Sequence, residues 1–165
     1  ERMRPLEMIA PTHPLHRFAE LTVHLAAENA DRGQLPFAAV VVDGGGVVAT
    51  GVNTALADRD PTAHAEAAAV RAACRTRGAL SLLGATLVSS CEPCAMCHVA
   101  ALVAGVDRIA YAAPKELVPD LGVPWPAVVA ELGPVVRSAA GTPVEHVPVA
   151  GSDEPFARFL DGAAG

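Results

Sequence analysis

Residues 86–113 read TLVSSCEPCAMCHVAALVAGVDRIAYAA. Thr86 to Ser89 is a short apolar run with β-branched residues, the composition of a strand. Glu92-Pro93 opens a helix expected to run to Ala104. Proline is tolerated in a first helical turn, where its missing N–H would have no intrahelical acceptor. Gly105 closes that helix, and Arg108 to Ala112 reads as the next strand. A strand, a helix and a further strand in so short a span form a crossover unit. Such a unit lays two parallel strands side by side with a helix on the face of the sheet.

Working outward, Leu15 to Arg32 reads as an amphipathic helix stopped by Gly33, with Phe18, Leu21, Val23 and Leu25 on or near its apolar side. Pro36 to Val42 and Val47 to Val52 read as strands joined through Asp43-Gly44-Gly45-Gly46, a hairpin. Asp60-Pro61-Thr62 is expected to open a helix running to about Arg77, ended by Gly78. After Pro114 the chain is Pro-rich, and one short helix is expected near Ala127 to Leu132. Val144 to Val149 reads as a fifth strand and Glu154 to Leu160 as a last short helix. The class is therefore α/β, a three-layer α/β/α sandwich around a mixed five-stranded sheet; the hairpin is what makes the sheet mixed.

A length of 165 residues fits one domain, read as 1–165 with residues 1–13 as a flexible N-terminal extension. The chain is 52% apolar and 18% charged, enough to build a core. With one Trp, one Tyr and four Phe, that core must be mainly aliphatic. The net charge is −6 and Lys115 is the only lysine, which argues against a broad nucleic-acid-binding face. No apolar run reaches the roughly 18–20 residues of a membrane span. The stretch Glu1 to Pro14 lacks the compact apolar segment of a secretory signal, so a cytoplasmic protein is expected.

Three of the four cysteines fall at Cys91, Cys94 and Cys97, and the fourth is Cys74. Clustered thiols in a cytoplasmic chain read as metal-binding or redox-active rather than as a disulfide framework. Cys94 and Cys97 are three apart and project from one helix face, a chelating pair. The start of a helix carries partial positive charge and favours the thiolate that zinc needs. His64, at the start of another predicted helix, offers an imidazole nitrogen. Three ligands leave the fourth tetrahedral position open, as in a catalytic zinc site. Glu66 follows His64 by two residues and would not share its face in a regular helix. The pair is therefore expected at an irregular helix start, with Glu66 beside the metal as a proton shuttle rather than a ligand.

Several stretches together resemble the cytidine-deaminase-like superfamily: Pro36-Phe37-Ala38-Ala39-Val40, Gly51-Val52-Asn53, Asp60-Pro61-Thr62-Ala63-His64-Ala65-Glu66, and Ser89-Ser90-Cys91-Glu92-Pro93-Cys94-Ala95-Met96-Cys97. The pairing of H-x-E with P-C-x-x-C is the signature of zinc deaminases. Within the superfamily the last two stretches look most like bacterial guanine deaminases. The resemblance implies zinc on His64, Cys94 and Cys97, with Glu66 as catalytic acid and base. Asn53 and the Ala65 N–H would contact the base, and Phe37 would line its pocket. It implies that water replaces an amino group on a ring carbon and ammonia leaves. Guanine deaminases usually carry an acidic residue after the fourth strand to read the purine, for which Glu116 and Asp120 are the candidates. Ala38 stands where a glycine is usual. A homodimer is expected, with Leu117 to Val136 as the contact.

Other readings stand beside these. A cytosine, pyrimidine-type or triazine deaminase uses the same frame. A tRNA adenosine deaminase is disfavoured because Gly151 to Gly165 carries only Arg158 as a basic residue. A non-catalytic zinc module on the same fold is the reading from a different class. Cys91 and Cys74 are expected to be buried thiols. Trp125, between two prolines, is expected to cap the substrate pocket or meet a second subunit.

Overall fold

The structure is a computed structural model that describes residues 13–164. The extension read at residues 1–13 therefore lies, except for His13, outside the described residues. In chain order the elements are α1 (His16–Asp31), β1 (Ala38–Asp43), β2 (Gly46–Val52), α2 (Ala55–Asp58), α3 (Ala65–Arg77), β3 (Thr86–Cys91), α4 (Ala95–Ala104), β4 (Arg108–Ala113), α5 (Ala127–Ala140), β5 (Val144–His146) and α6 (Glu154–Ala163). A single 3₁₀ turn, Lys115–Leu117, follows β4. The strands lie in the order β2-β1-β3-β4-β5, antiparallel on the β2-β1-β3 side and parallel from β3 to β5. This is the mixed sheet that the hairpin and the crossover unit require.

The two-residue period of the strands sorts side chains between two helical layers. Val40, Val42, Val88, Ala110 and Ala112 meet Phe18, Ala19 and Val23 of α1. The alternate residues Ala39, Val41, Leu87 and Ile109 meet Ala65, Ala69 and Ala73 of α3 and Ala101 and Ala104 of α4. Alanines on these helices let them lie close to the sheet. Helix α6 packs beside α1, and α5 packs on the outside of α4. The hairpin turns at Gly44 and Gly45, with φ of 57° and 78°. A two-residue turn of this hand needs positive φ at both positions, which glycine adopts without strain.

Some boundaries differ from the sequence expectation. Helix α3 begins at Ala65, not Asp60, because Asp60 closes a turn of its own: its Oδ1 accepts from the Thr62 N–H at 2.8 Å and the Thr62 hydroxyl at 2.7 Å. Helix α4 begins at Ala95 because Cys94 is extended, with φ −71° and ψ 171°. Helix α5 continues to Ala140 through Pro134, well beyond Leu132. The carbonyl that Pro134 cannot bond belongs to Ala130, an exposed residue, so water can serve it. Strand β5 stops at His146, two residues before Pro148. Helix α2 was not expected; the Asn53 side chain starts it by accepting from the Ala55 N–H at 2.9 Å. Among the described residues no helix is long and apolar enough to cross a membrane.

Candidate active site

Two helix starts meet at the carboxyl end of β3. His64 is the residue before α3, extended at φ −78° and ψ 152°, and Cys94 holds the same position before α4. Cys94 Sγ lies 3.6 Å and Cys97 Sγ 3.4 Å from His64 Nδ1. All three donor atoms lie within 4.8 Å of one another. A tetrahedral zinc, with bonds of about 2.3 Å to sulfur and 2.0–2.1 Å to nitrogen, needs sulfur–nitrogen edges of about 3.6 Å. The donor set therefore fits zinc in both chemistry and spacing. The N-terminal ends of both helices also direct positive potential at the thiols.

The electrostatics of the donors agree with a site built for a cation. The Cys94 thiol is pulled down to about 4, first by the hydrogen bond from the Cys97 thiol and then by His64, against its burial. Cys97 is pushed up because it donates to Cys94 and is buried. The His64 imidazole is raised, chiefly by its hydrogen bond to Cys94, against its own burial. A divalent cation is the partner that satisfies both sulfurs as thiolates together.

Glu66 is 7% exposed and sits inside this cluster. Its Oε1 accepts from the Ser89 hydroxyl at 2.8 Å, and its Oε2 lies 3.3 Å from Cys97 Sγ. Burial, then the negative charge at Cys94, hold its carboxyl above the usual range, while the Ser89 hydrogen bond works the other way. The offset between His64 and Glu66 arises as the motif requires. His64 is still extended and Ala65 is the first helical residue, so Glu66 turns toward the same cluster.

Ser89 was not assigned a role from the sequence. The signal was present in strand alternation: Leu87 and Ser89 share a face of β3, and Leu87 faces α3. Asn53 is 2% exposed, and its loop joins the one before His64 through a Thr54 N–H to Ala63 carbonyl bond of 3.1 Å. Its side-chain oxygen is taken by Ala55, which leaves the amide NH₂ as the donor. Ala65 is fully buried at the first helical position, where an N–H has no intrahelical acceptor. Trp125 stacks on the His64 imidazole, with ring centroids 5.9 Å apart and an angle of 27°. Phe37 packs against Phe156 at 5.8 Å, where three apolar clusters adjoin. Glu116 lies on the exposed 3₁₀ turn, and Asp120 uses its carboxylate on the Gly122 N–H of its own turn. Cys91 is buried and Cys74 packs against the core; all four cysteines are free.

The sequence profile of the cytidine and deoxycytidylate deaminase zinc-binding region matches residues 13–113. Over 97 residues the chain is 43% identical to guanine deaminase of Bacillus subtilis, covering 58% of this chain and 62% of that protein. Over 96 residues it is 40% identical to the tRNA-specific adenosine deaminase of Agrobacterium fabrum, covering 58% and 63%. A 99-residue stretch is 48% identical to tRNA(Ile)-lysidine synthase of Deinococcus deserti, covering 59% of this chain but 19% of that protein. The chain thus spans less than two thirds of the length of these relatives. The solved structure of guanine deaminase from Nitrosomonas europaea superposes with a TM-score of 0.68 at 25% identity, covering 98% of this chain and 89% of that one. By the match across residues 13–113, the chain belongs to the cytidine and deoxycytidylate deaminase zinc-binding family.

Proposed function

We propose that the protein is a zinc-dependent hydrolase that deaminates a free nucleobase, with guanine as the leading substrate. One observation carries the reading. A buried carboxyl, Glu66, lies against a His-Cys-Cys donor set without belonging to it. Zinc held by His64, Cys94 and Cys97 would act as a Lewis acid that makes water nucleophilic near neutral pH.

In this reading the residues divide the remaining work. Ser89 anchors Glu66 Oε1, so Oε2, on the side of the donor set, is the oxygen that takes up and returns protons. The raised carboxyl suits that exchange, because a proton carrier works best near the pH of operation. Oε2 delivers protons to the ring nitrogen and to the departing amine. The carbon–nitrogen bond breaks, a carbon–oxygen bond forms, and ammonia leaves. The Asn53 NH₂ and the Ala65 N–H hold the polar edge of the base, and Phe37 lines the pocket. Trp125, over His64, limits access of bulk water. Glu116 and Asp120, on the segment that follows β4, are the acidic candidates for reading the purine.

The guanine deaminase relatives support the substrate. So does the charge: the net value is −6, and Arg158 is already paired with Asp31 at 2.9 Å and Glu154 at 2.7 Å. The 40% identity to a tRNA-specific adenosine deaminase keeps that reading as the second one. We further propose that the chain is a single catalytic domain that acts in the cytoplasm, where free thiols persist. We also propose that it pairs as a homodimer through Leu117 to Val136, where Leu117, Val128, Leu132 and Val135 are exposed.

The test is ammonia release from guanine, cytosine, adenine, their nucleosides, triazines and a tRNA anticodon stem-loop. Turnover of guanine above the rest is expected. A preference for the stem-loop overturns the free-base assignment. Glu66→Ala should abolish release, by at least about 10³-fold, while zinc stays bound. Turnover retained in that variant overturns the mechanism.

A further inference from the structure

We propose that Arg137 is a positioning residue of the metal centre, acting through Glu92 on the turn that presents Cys94. This rests on the reading of His64, Cys94 and Cys97 as zinc ligands. Arg137 belongs to α5, which lies beyond the region matched to the family and buries none of its own residues. Its guanidinium nevertheless reaches back to the ligand turn and pairs with Glu92 Oε1. The other carboxylate oxygen of Glu92 accepts from the Lys115 N–H at 3.1 Å. The Glu92 N–H donates to the Ala113 carbonyl at 2.9 Å. Both ends of this residue are thus tied, and its side chain is only 10% exposed.

Glu92 connects to Cys94 through Pro93 alone, whose ring locks φ. With Glu92 held and Pro93 stiff, the extended conformation of Cys94, and with it the aim of Sγ, has little freedom. The guanidinium sits in a partly buried setting. Its Nε has no hydrogen-bond partner among the described residues, and neither does Nε2 of His98, which feels its charge. Tyr111 lies near both Glu92 and Arg137. Glu92 is the carboxylate that Arg137 pairs with in this setting. Without Arg137 a mostly buried carboxylate would keep only a backbone N–H, and it gains by turning out to water. That turn would also give up the bond from the Lys115 N–H, leaving residue 92 tied by its backbone alone and the Cys94 turn less firmly held.

Loss of groups that orient metal ligands typically costs about 10–100-fold in metal affinity. The experiment compares the full chain with Arg137→Gln, Arg137→Lys, Glu92→Gln and the double variant Glu92→Gln/Arg137→Gln. Zinc affinity is measured by competition with a chromophoric chelator. The visible spectrum of the cobalt(II) form reports the geometry of the donor set, and melting of the metal-free proteins checks the fold. Arg137→Gln is expected to weaken zinc binding by about 10-fold or more and to alter the cobalt spectrum, while the metal-free protein still melts cooperatively. Glu92→Gln should do the same, the double variant should be no worse than either single, and Arg137→Lys should recover part of the loss. Affinity within about twofold of wild type in Arg137→Gln overturns the inference, as does a double variant whose loss is the sum of the two. If Arg137→Gln does not fold, Glu92→Gln decides by the same criterion. A wild-type chain that binds no zinc overturns the metal reading itself, and this inference with it.

Discussion

At Gly51 an added Cβ would lie 2.3 Å from the Ala69 nitrogen and 2.4 Å from the Ala65 carbonyl oxygen. Both are backbone atoms of α3, so no side-chain rotation relieves the clash. The missing side chain is what lets α3 lie directly on β2, and α3 begins immediately after His64 and carries Glu66. Gly51→Ala is therefore expected to destabilise the fold by about 3 kcal/mol or more, the upper range for forced overpacking. Urea midpoints check this, and an unchanged midpoint contradicts it. The sequence showed Gly51 only as part of a family-like stretch; its contact with the helix needed the register of β2. Ser89 has the same history. Its position on the inward face of β3 could be counted from Leu87, but its bond to Glu66 joins residues on separate elements.

Among the elements, the central strands and α5 lie at opposite ends of burial. Ile109 of β4 is fully buried between sheet and helices, whereas Val128, Leu132 and Val135 of α5 are 58%, 46% and 62% exposed. Their spacing of four and then three places them on one face of the helix. Leu132→Glu should change the stability of the isolated chain by no more than about 0.5 kcal/mol. The same substitution should convert the proposed dimer to monomer in sedimentation at micromolar concentration. Ile109→Ala is expected to cost about 2–5 kcal/mol. A wild-type chain that sediments as a monomer, or a dimer indifferent to Leu132→Glu, contradicts the assignment of this face. The elements also differ in how legible they were. The hairpin and the β3-α4-β4 unit were readable because glycine turns and apolar periodicity are local signals. Helix α5 was read too short in a Pro-rich segment: it runs on through Pro134, a local stop signal, while packing on α4. The starts of α3 and α4 were read early because Asp60 and Glu92, acceptable as first-turn residues, are committed to other partners.

Over the whole molecule, the donor set ties together helices whose ligands are 30 and 33 residues apart. A metal that binds the folded chain and not the unfolded one stabilises by mass action, about 4 kcal/mol when free zinc exceeds its dissociation constant 1,000-fold. For a chain of this size that corresponds to roughly 10 °C in melting temperature. Chelation is expected to lower the melting temperature by about that amount, and zinc to restore it. Cys94→Ala should remove most of the difference. Superimposable melting curves with and without chelator contradict a zinc site on these residues.

The sequence by itself determined the class of fold, the identity of the three donors and the adjacent carboxylate. The signals behind them are local pairs, Cys94 with Cys97, His64 with Glu66 and Gly44 with Gly45, read together through their resemblance to one family. Tertiary structure alone decided that the two sulfurs at the start of α4 lie 3.4–3.6 Å from the His64 nitrogen at the start of α3. It also decided that Ser89 holds Glu66, that Trp125 covers His64, and that Arg137 reaches Glu92 from α5. The physical reason is range. Periodicity and turn chemistry specify neighbours a few residues apart. Residues tens of positions apart become neighbours only through the strand order β2-β1-β3-β4-β5 and the layers packed on it.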